Sequence, residues 1–217
     1  MKKFTMRLIR LLFGLFLYSL GIVTTINANI GYAPWDVFHV GLANTASITI
    51  GMASIATGVV IGIIALLLGE KLGLGTVLNM VLIGVFMDII ISWQVIPKQE
   101  SLLLGSLMMV GGLFIISLAS YFYMGARFSA GPRDSLMVAL TKKTGLSVGL
   151  CRGALEILAV ITGWWLGGKV GVGTILSAMI IGLCVQTTFK LLKFDASKIQ
   201  HETIDQTFKS LIKPKLN

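Results

Sequence analysis

The sequence has little charge, little cysteine and little histidine. Charged residues make up 12% of its 217 positions, and it contains two cysteines and two histidines. Cys151 and Cys184 each fall within a hydrophobic run and fit no metal or redox spacing, so we assign them to packing. The hydrophobic runs also contain no His/Glu metal motif and no Ser/Lys nucleophile pair. We therefore expect no metal site, no cofactor and no enzymatic activity.

A nucleotide-binding motif is missing as well. The stretches "GLGT" from Gly73 and "GVGT" from Gly171 resemble phosphate loops, but they lack the Walker spacing and its Lys-Ser/Thr ending. We predict instead that each forms a tight turn whose threonine caps the following helix. Any movement of a solute would then be secondary or channel-like unless a partner supplies the energy.

Long hydrophobic runs account for much of the chain. With 55% hydrophobic residues and a mean hydropathy of +0.89, the chain carries more apolar surface than a soluble domain of this length buries. Runs of about 20 apolar residues are typical of membrane spans. Six such runs lie at about residues 8–28, 50–69, 74–95, 102–124, 148–166 and 172–192. We predict an all-α, polytopic membrane protein in contact with the lipid bilayer.

The basic residues explain the net charge of +9. They cluster at the ends of the predicted spans, which favours a membrane rather than nucleic acid as the partner. If the N-terminus lies in the cytoplasm, the outside loops carry only Lys98 and Lys169, which is a strong positive-inside bias. We predict six spans with both termini in the cytoplasm.

The chain repeats itself at an offset of 98 residues. Pro34 to Gly84 aligns without a gap with Pro132 to Gly182, and sixteen of these 51 pairs are identical. The identities include the pairs Pro34/Pro132, Asp36/Asp134, Gly51/Gly149, Gly73/Gly171, Thr76/Thr174 and Gly84/Gly182. Matched prolines, aspartates and glycines in one register indicate an internal repeat, which we assign to residues 1–98 and 99–192, followed by a polar tail at 193–217.

The length of one segment predicts the relative orientation of the two units. Each unit has one span, a short Pro-x-Asp segment and two further spans. The segment from Pro34 to Thr45 would form about 18 Å of helix, whereas the hydrocarbon core is about 30 Å thick. Because such a segment does not cross, each unit crosses three times, and the two units are predicted to be inverted relative to each other.

The Pro-x-Asp segments "PWD" and "PRD" each predict a helix start. Proline suits the first turn, and an aspartate two residues later faces the positive end of the helix dipole. These half-helices lie either flat at the interface or re-entrant, with their N-termini near the middle of the bilayer. The first one, "WDVFHVGLANTA", has no Lys or Arg, and Asp36 and His39 share one face, which favours burial against other spans.

Charged residues within the hydrophobic segments are the candidate site residues, because charge at membrane depth is costly and is usually paired or lines a water path. Arg152 and Glu156 are spaced i,i+4 on one predicted helix face, where a purely structural ion pair is an equal alternative. For the two aspartates of the Pro-x-Asp motifs, helix capping is the alternative. The predicted substrate- or ion-binding residues are Asp36, His39, Asp88, Asp134, Arg152 and Glu156, and none of them is assigned a catalytic role.

The polar tail carries a modest amphipathic stripe of Ile204, Phe208, Leu211 and Ile212. This stripe predicts a cytoplasmic helix that lies on the membrane surface or on a partner protein. A cytoplasmic partner at the tail and a homodimer are both left open by the sequence.

Four stretches, "GYAPWDVFHVGLA", "GPRDSLMVAL", "GLSVGLCRGALEI" and "GWWLGGKVGVGTI", together resemble the YczE/YitT-type integral membrane proteins of bacteria, and more closely their YczE branch. The resemblance covers nearly the whole chain up to about Leu192. It implies the cytoplasmic membrane of a bacterium and, for members from bacilli, an association with the production of polyketide and nonribosomal-peptide antibiotics. It carries over no catalytic or ligand-binding residues.

Two functions fit these observations. The first is a transporter of a small polar or charged solute, with a central site between two inverted repeats. The alternative is a non-transporting membrane scaffold or regulator of an enzyme complex such as an antibiotic synthase. Transport predicts that the charged residues within the spans matter most. A scaffold predicts that the tail and the "TKKTG" loop matter more.

Overall fold

The computed structural model describes residues 2–195 and Glu202. Within these residues the chain forms eight α-helices and no strand. Six of the helices are long and apolar enough to cross a membrane, and they lie where the hydrophobic runs predict them. The helices are α1 (Lys2–Asn27), α2 (Pro34–Ala46), α3 (Ile50–Leu67), α4 (Leu74–Trp93), α5 (Leu102–Gly125), α6 (Pro132–Thr144), α7 (Val148–Trp165) and α8 (Val172–Leu191). The all-α, six-span prediction is confirmed.

The short helices α2 and α6 begin at the prolines of the two Pro-x-Asp motifs, as predicted. Each has 13 residues. The predicted threonine caps are also present. Thr76 Oγ1 accepts a hydrogen bond from the backbone N–H of Gly73 at 3.3 Å, and Thr174 Oγ1 accepts the equivalent bond at 3.2 Å. The matching motifs of the two units therefore fold in the same way.

Helices α1 and α5, which correspond to each other in the repeat, pack closely and antiparallel. A Cβ atom at Gly14, early in α1, would lie 2.8 Å from the backbone nitrogen of Tyr123, late in α5. A Cβ at Gly105, early in α5, would lie 2.6 Å from the carbonyl oxygen of Ala28, just after α1. Glycines thus allow the backbones of these two helices to approach each other, as small residues do between membrane helices.

The helix contacts of one unit recur in the other. Helix α1 packs on α4 as α5 packs on α8, and α2 packs on α7 as α6 packs on α3. The same holds for individual bonds, since Gly75 N–H donates to Phe128 O and its repeat mate Gly173 N–H donates to Ile30 O. One pair departs from this pattern. Helices α3 and α4 pack together, whereas α7 and α8 make no contact of similar extent among the described helices.

The two ends of the bundle differ in charge. At one end, Arg7 Nε donates to the carbonyl oxygen of Ala126, and Arg10 and Arg127 lie nearby. At the other end, Asn27 donates to the carbonyl oxygen of Ile96. Asn29, just after α1, donates to the carbonyl oxygen of Gln99 and accepts from Lys169 Nζ, so it binds both the α4–α5 loop and the α7–α8 loop. Three arginines that the sequence places in the cytoplasm, Arg7, Arg10 and Arg127, therefore share one end.

Part of the tail contacts the arginine-rich end. Glu202 Oε1 accepts from Arg7 Nη1 at 2.9 Å, and the backbone N–H of Glu202 donates to the carbonyl oxygen of Arg127. The predicted amphipathic stripe from Ile204 to Ile212 lies outside the described residues.

Candidate functional site

A cavity of about 240 Å³ lies where the two repeat units meet. Helices α1 to α7 all contribute to its lining. Three pairs of repeat mates face into it, namely Trp35 and Arg133, Ser54 and Arg152, and Gly58 and Glu156. Because corresponding positions of both units share one cavity, we call it the central cavity.

The charged lining of the central cavity comes from the second unit. Of the described residues that line it, four are charged, and these are Arg133, Asp134, Arg152 and Glu156. Three of the six predicted site residues, Asp134, Arg152 and Glu156, are therefore brought together. Neutral polar groups complete the lining with Tyr18, Ser54, Asn79 and Tyr123.

Arg152 and Glu156 form the predicted i,i+4 ion pair, with 3.0 Å between Arg152 Nε and Glu156 Oε1. Their side chains are 57% and 29% exposed, respectively. Both residues line the central cavity, so the pair is open to it. Either partner is thus available to exchange the other for a ligand group of the same charge.

Arg133 connects the cavity to the buried part of α2. Its guanidinium lies 4.6 Å from the ring centroid of Trp35, and its Nη2 lies 3.2 Å from His39 Nε2. Sequence reasoning missed this residue, because Arg133 counted only as one of the cytoplasmic positive charges. The signal available was its place between Pro132 and Asp134, opposite Trp35 in the repeat.

Asp36 and His39 lie behind Arg133 and do not line the cavity. Both are buried, with 4% and 1% of their surface exposed. His39 Nδ1 lies 3.5 Å from Asp36 Oδ1, which is longer than an ordinary hydrogen bond. Burial of His39, which lies outside the six candidate spans, lowers the pKa of its imidazole. Because a guanidinium only donates, Nε2 accepts from Arg133 and the ring proton faces Asp36.

Tyr123 is a second residue that sequence reasoning missed. It is 5% exposed and lines the cavity, and its hydroxyl has no hydrogen-bond partner among the described residues. Tyr18 Oη, by contrast, lies 2.7 Å from Ser120 Oγ. A buried hydroxyl without a partner costs about 1–3 kcal/mol. A ligand group that reaches and accepts from this hydroxyl would remove the cost.

Asp88 lies away from the cavity. Its carboxylate accepts hydrogen bonds from Thr49 Oγ1 and from the backbone N–H of Gly51 at 2.9 Å, so it ties α4 to the first turn of α3. The six predicted site residues are therefore divided among the cavity, the buried group behind Arg133, and this helix contact. Among the described residues, no group of three or more His, Cys, Asp or Glu is placed to hold a metal ion.

Six apolar helices of spanning length, five of which line a charged cavity, define a polytopic α-helical membrane protein. The chain belongs to the family of unknown function DUF6198, which it matches over residues 5–190. This assignment rests on the sequence match.

Three bacterial relatives are similar to the chain. The uncharacterized membrane protein YczE of Bacillus subtilis is 36% identical over 176 residues, which cover 80% of each chain. An uncharacterized protein of Haemophilus influenzae is 32% identical over 81% of this chain and 80% of its own. The uncharacterized protein YyaS of Bacillus subtilis is 27% identical over 78% and 86%. No solved structure matches significantly. The resemblance to YczE-type proteins is confirmed.

Proposed function

We propose that the protein is a membrane transporter that moves a small polar or charged molecule through the central cavity. The observation that carries the proposal is the lining itself. Two guanidinium and two carboxylate groups project into a cavity formed by corresponding positions of both repeat units. Charge inside a membrane protein is costly, and its usual role there is to contact a ligand or an ion path.

The packing of the helices, which fits two inverted units, supports this proposal. Helices α1 and α5 correspond in the repeat and pack antiparallel. The starts of α2 and α6 meet at the contact between Trp35 and Arg133, whereas their ends bind opposite loops through Thr45 and Lys142. Two half-helices whose N-termini meet between inverted units form the central site of many secondary transporters.

The proposed location is the cytoplasmic membrane of a bacterium. The relatives named above are bacterial, and one of them is described as a membrane protein. The arginines at one end of the bundle favour the cytoplasm for that end and for the N-terminus.

Transport can be tested without knowing the solute. Purified protein is reconstituted into liposomes loaded with a bacterial small-molecule extract, and the contents are compared over time by mass spectrometry. We expect at least one component to leave liposomes that contain the unaltered protein and to remain with Arg133→Gln. The matched control is Lys143→Gln, which removes an exposed charge from the same helix and should transport normally.

Two outcomes would contradict transport. In the first, liposomes with the unaltered protein retain every component, as empty liposomes do. In the second, Lys143→Gln abolishes function in cells while Arg133→Gln does not. That pattern would favour the scaffold alternative, because Lys143 belongs to the "TKKTG" segment, which the structure places at the end of α6, and Arg133 belongs to the cavity.

A further inference from the structure

A second cavity, of about 400 Å³, lies between α3 and α7 and is almost entirely apolar. Its walls again consist of repeat mates, including Phe38 with Leu136 and Val60 with Leu158. Val60 and Leu158 are 55% and 58% exposed, so this cavity opens on the outer surface of the helix bundle. In a membrane protein that surface faces hydrocarbon. We call this second cavity the lateral crevice.

The lateral crevice and the central cavity share a wall. Trp35 and Leu155 line both of them. Trp35 also stacks against Arg133, so a charged group of the central cavity lies one side chain away from the apolar crevice. A molecule that fills both spaces needs a charged part and a hydrocarbon part joined directly to each other.

The charge of the central cavity restricts the charged part. Arg133 and Arg152 contribute two positive charges, and Asp134 and Glu156 contribute two negative charges. The charges of the lining itself therefore balance before anything binds, while Asp36 lies behind Arg133, buried beside His39 and outside the lining. A ligand with a net charge would leave one charge uncompensated in a medium where that is costly, whereas a ligand with one charge of each sign would not.

We propose that the transported molecule is a zwitterionic membrane lipid. Its head group enters the central cavity, and its hydrocarbon chain stays in the lateral crevice. The anionic group of the head is held by the guanidinium groups of Arg133 and Arg152 and accepts a hydrogen bond from the Tyr123 hydroxyl. The ammonium group faces Glu156. This inference rests on the proposed transport function and names the substrate class for the same site.

Binding to purified protein tests the inference separately from transport. Isothermal titration in detergent compares lysophosphatidylethanolamine with three probes that each lack one feature. Glycerophosphoethanolamine lacks the chain, monoacylglycerol lacks the charges, and lysophosphatidylglycerol lacks the ammonium. We expect lysophosphatidylethanolamine to bind at least about tenfold more tightly than each of the three, because only it satisfies both cavities and both charges.

Two variants of α3 test whether the crevice holds the chain. Val60→Phe places a larger side chain in the crevice and should weaken lysophosphatidylethanolamine binding about tenfold. Val59→Phe is the matched control, since Val59 is 40% exposed and lines neither cavity, and its affinity should be unchanged. The thermal midpoint of each variant shows that it is folded.

The contrary results of the binding experiments differ in what they exclude about the ligand. Equal binding of glycerophosphoethanolamine and the lysolipid, unaffected by Val60→Phe, would eliminate the role of the chain and leave transport of a soluble zwitterion standing. Equal binding of lysophosphatidylglycerol would eliminate the requirement for an ammonium. If no lipid binds while the liposome experiment still shows release of an extract component, the lipid inference is wrong and the transport proposal stands.

Discussion

At the scale of single residues, Arg152 and Glu156 are the charged residues that stand out most clearly in the sequence. They can either stabilise the fold as an ion pair or bind a ligand. A pair that only stabilises the fold should tolerate removal of both partners together, because neither charge is then left alone. If the Arg152 guanidinium instead holds an anionic ligand, the protein should lose activity when both residues are replaced. The two roles therefore predict different behaviour of the same double variant.

We predict that Arg152→Met combined with Glu156→Gln gives a stable but inactive protein. The loss of stability should be small, because removing both partners leaves no uncompensated charge. Arg152→Lys should also be inactive, because an ammonium does not reproduce the two-pronged bonding of a guanidinium. Thermal unfolding and the liposome assay check both statements. A fully active double variant would remove both residues from the site.

Tyr123 gives a prediction in which stability and activity move apart. Tyr123→Phe deletes a buried hydroxyl that has no partner among the described residues, so the thermal midpoint should stay the same or rise. Binding of lysophosphatidylethanolamine to this variant should weaken severalfold. Tyr18→Phe is the contrast for stability, because it breaks the bond to Ser120 and should cost about 1 kcal/mol. A lower midpoint for Tyr123→Phe with unchanged binding would contradict the role assigned to the hydroxyl.

The residues of the site differ in how visible they are in the sequence. Arg152 and Glu156 stand out because they interrupt an apolar run. Arg133 does not, since arginines near span ends are expected for topology alone. Tyr123 is hidden for another reason, because a tyrosine in an apolar helix gives no sign of whether its hydroxyl has a partner.

At the scale of helices, the position of α2 depends on glycines that the repeat does not conserve. A Cβ atom at Gly163 of α7 would lie 2.4 Å from the backbone nitrogen of Phe38 in α2, and a Cβ at Gly41 would lie 2.4 Å from the carbonyl oxygen of Gly163. The repeat mates of Gly41 and Gly163 are Ala139 and Ala65, which are both buried. Helix α2 can thus lie close against α7 because Gly41 and Gly163 have no side chains.

We predict that Gly163→Ala destabilises the protein and displaces α2, because the new methyl group meets backbone atoms that cannot give way. Gly153→Ala is the matched control on the same helix. A Cβ at Gly153 meets nothing within 4 Å, and alanine favours a helix over glycine by up to about 1 kcal/mol, so this variant should be as stable or more stable. Thermal unfolding of both variants tests this prediction. An equal loss of stability in both would show that the close contact of α2 with α7 is unimportant.

The sequence predicts where these helices begin more readily than what they touch. Pro34, Pro132, Thr76 and Thr174 mark helix starts through local chemistry, and all four do so in the structure. The contact of α2 with α7 joins positions more than 120 residues apart, and no local pattern specifies it. The same holds for Asp88, whose partners are at the start of α3.

At the scale of the whole molecule, the repeat accounts for most helix contacts, and its exceptions concern the site. Corresponding helices pack in corresponding ways, apart from the α3–α4 contact that α7 and α8 do not reproduce. The charges of the central cavity also belong to one unit only, opposite Trp35, Ser54 and Gly58 of the other. The repeat register predicts which positions face each other, whereas the cavity and the crevice appear only once all helices are placed.

The arrangement of the two ends predicts the topology. Lys98 lies in the loop between α4 and α5, which binds Asn27 and Asn29, whereas Lys143 lies near the end of α6, beside Lys142, which binds Glu70. We expect Lys98→Cys to react with a membrane-impermeant maleimide in intact cells. Lys143→Cys should react only after the cells are opened, because the positive-inside bias places its loop in the cytoplasm.

The native cysteines make this experiment simple, because Cys151 and Cys184 are 4% and 3% exposed and should give little background. The unaltered protein in opened cells measures that background, and each variant must reach a normal level in the membrane. If each unit crosses three times and the two are inverted, the two variants differ only in the side from which they react. Labelling of Lys143→Cys in intact cells would place both short helices on one side and rule out the inverted arrangement on which the central site depends.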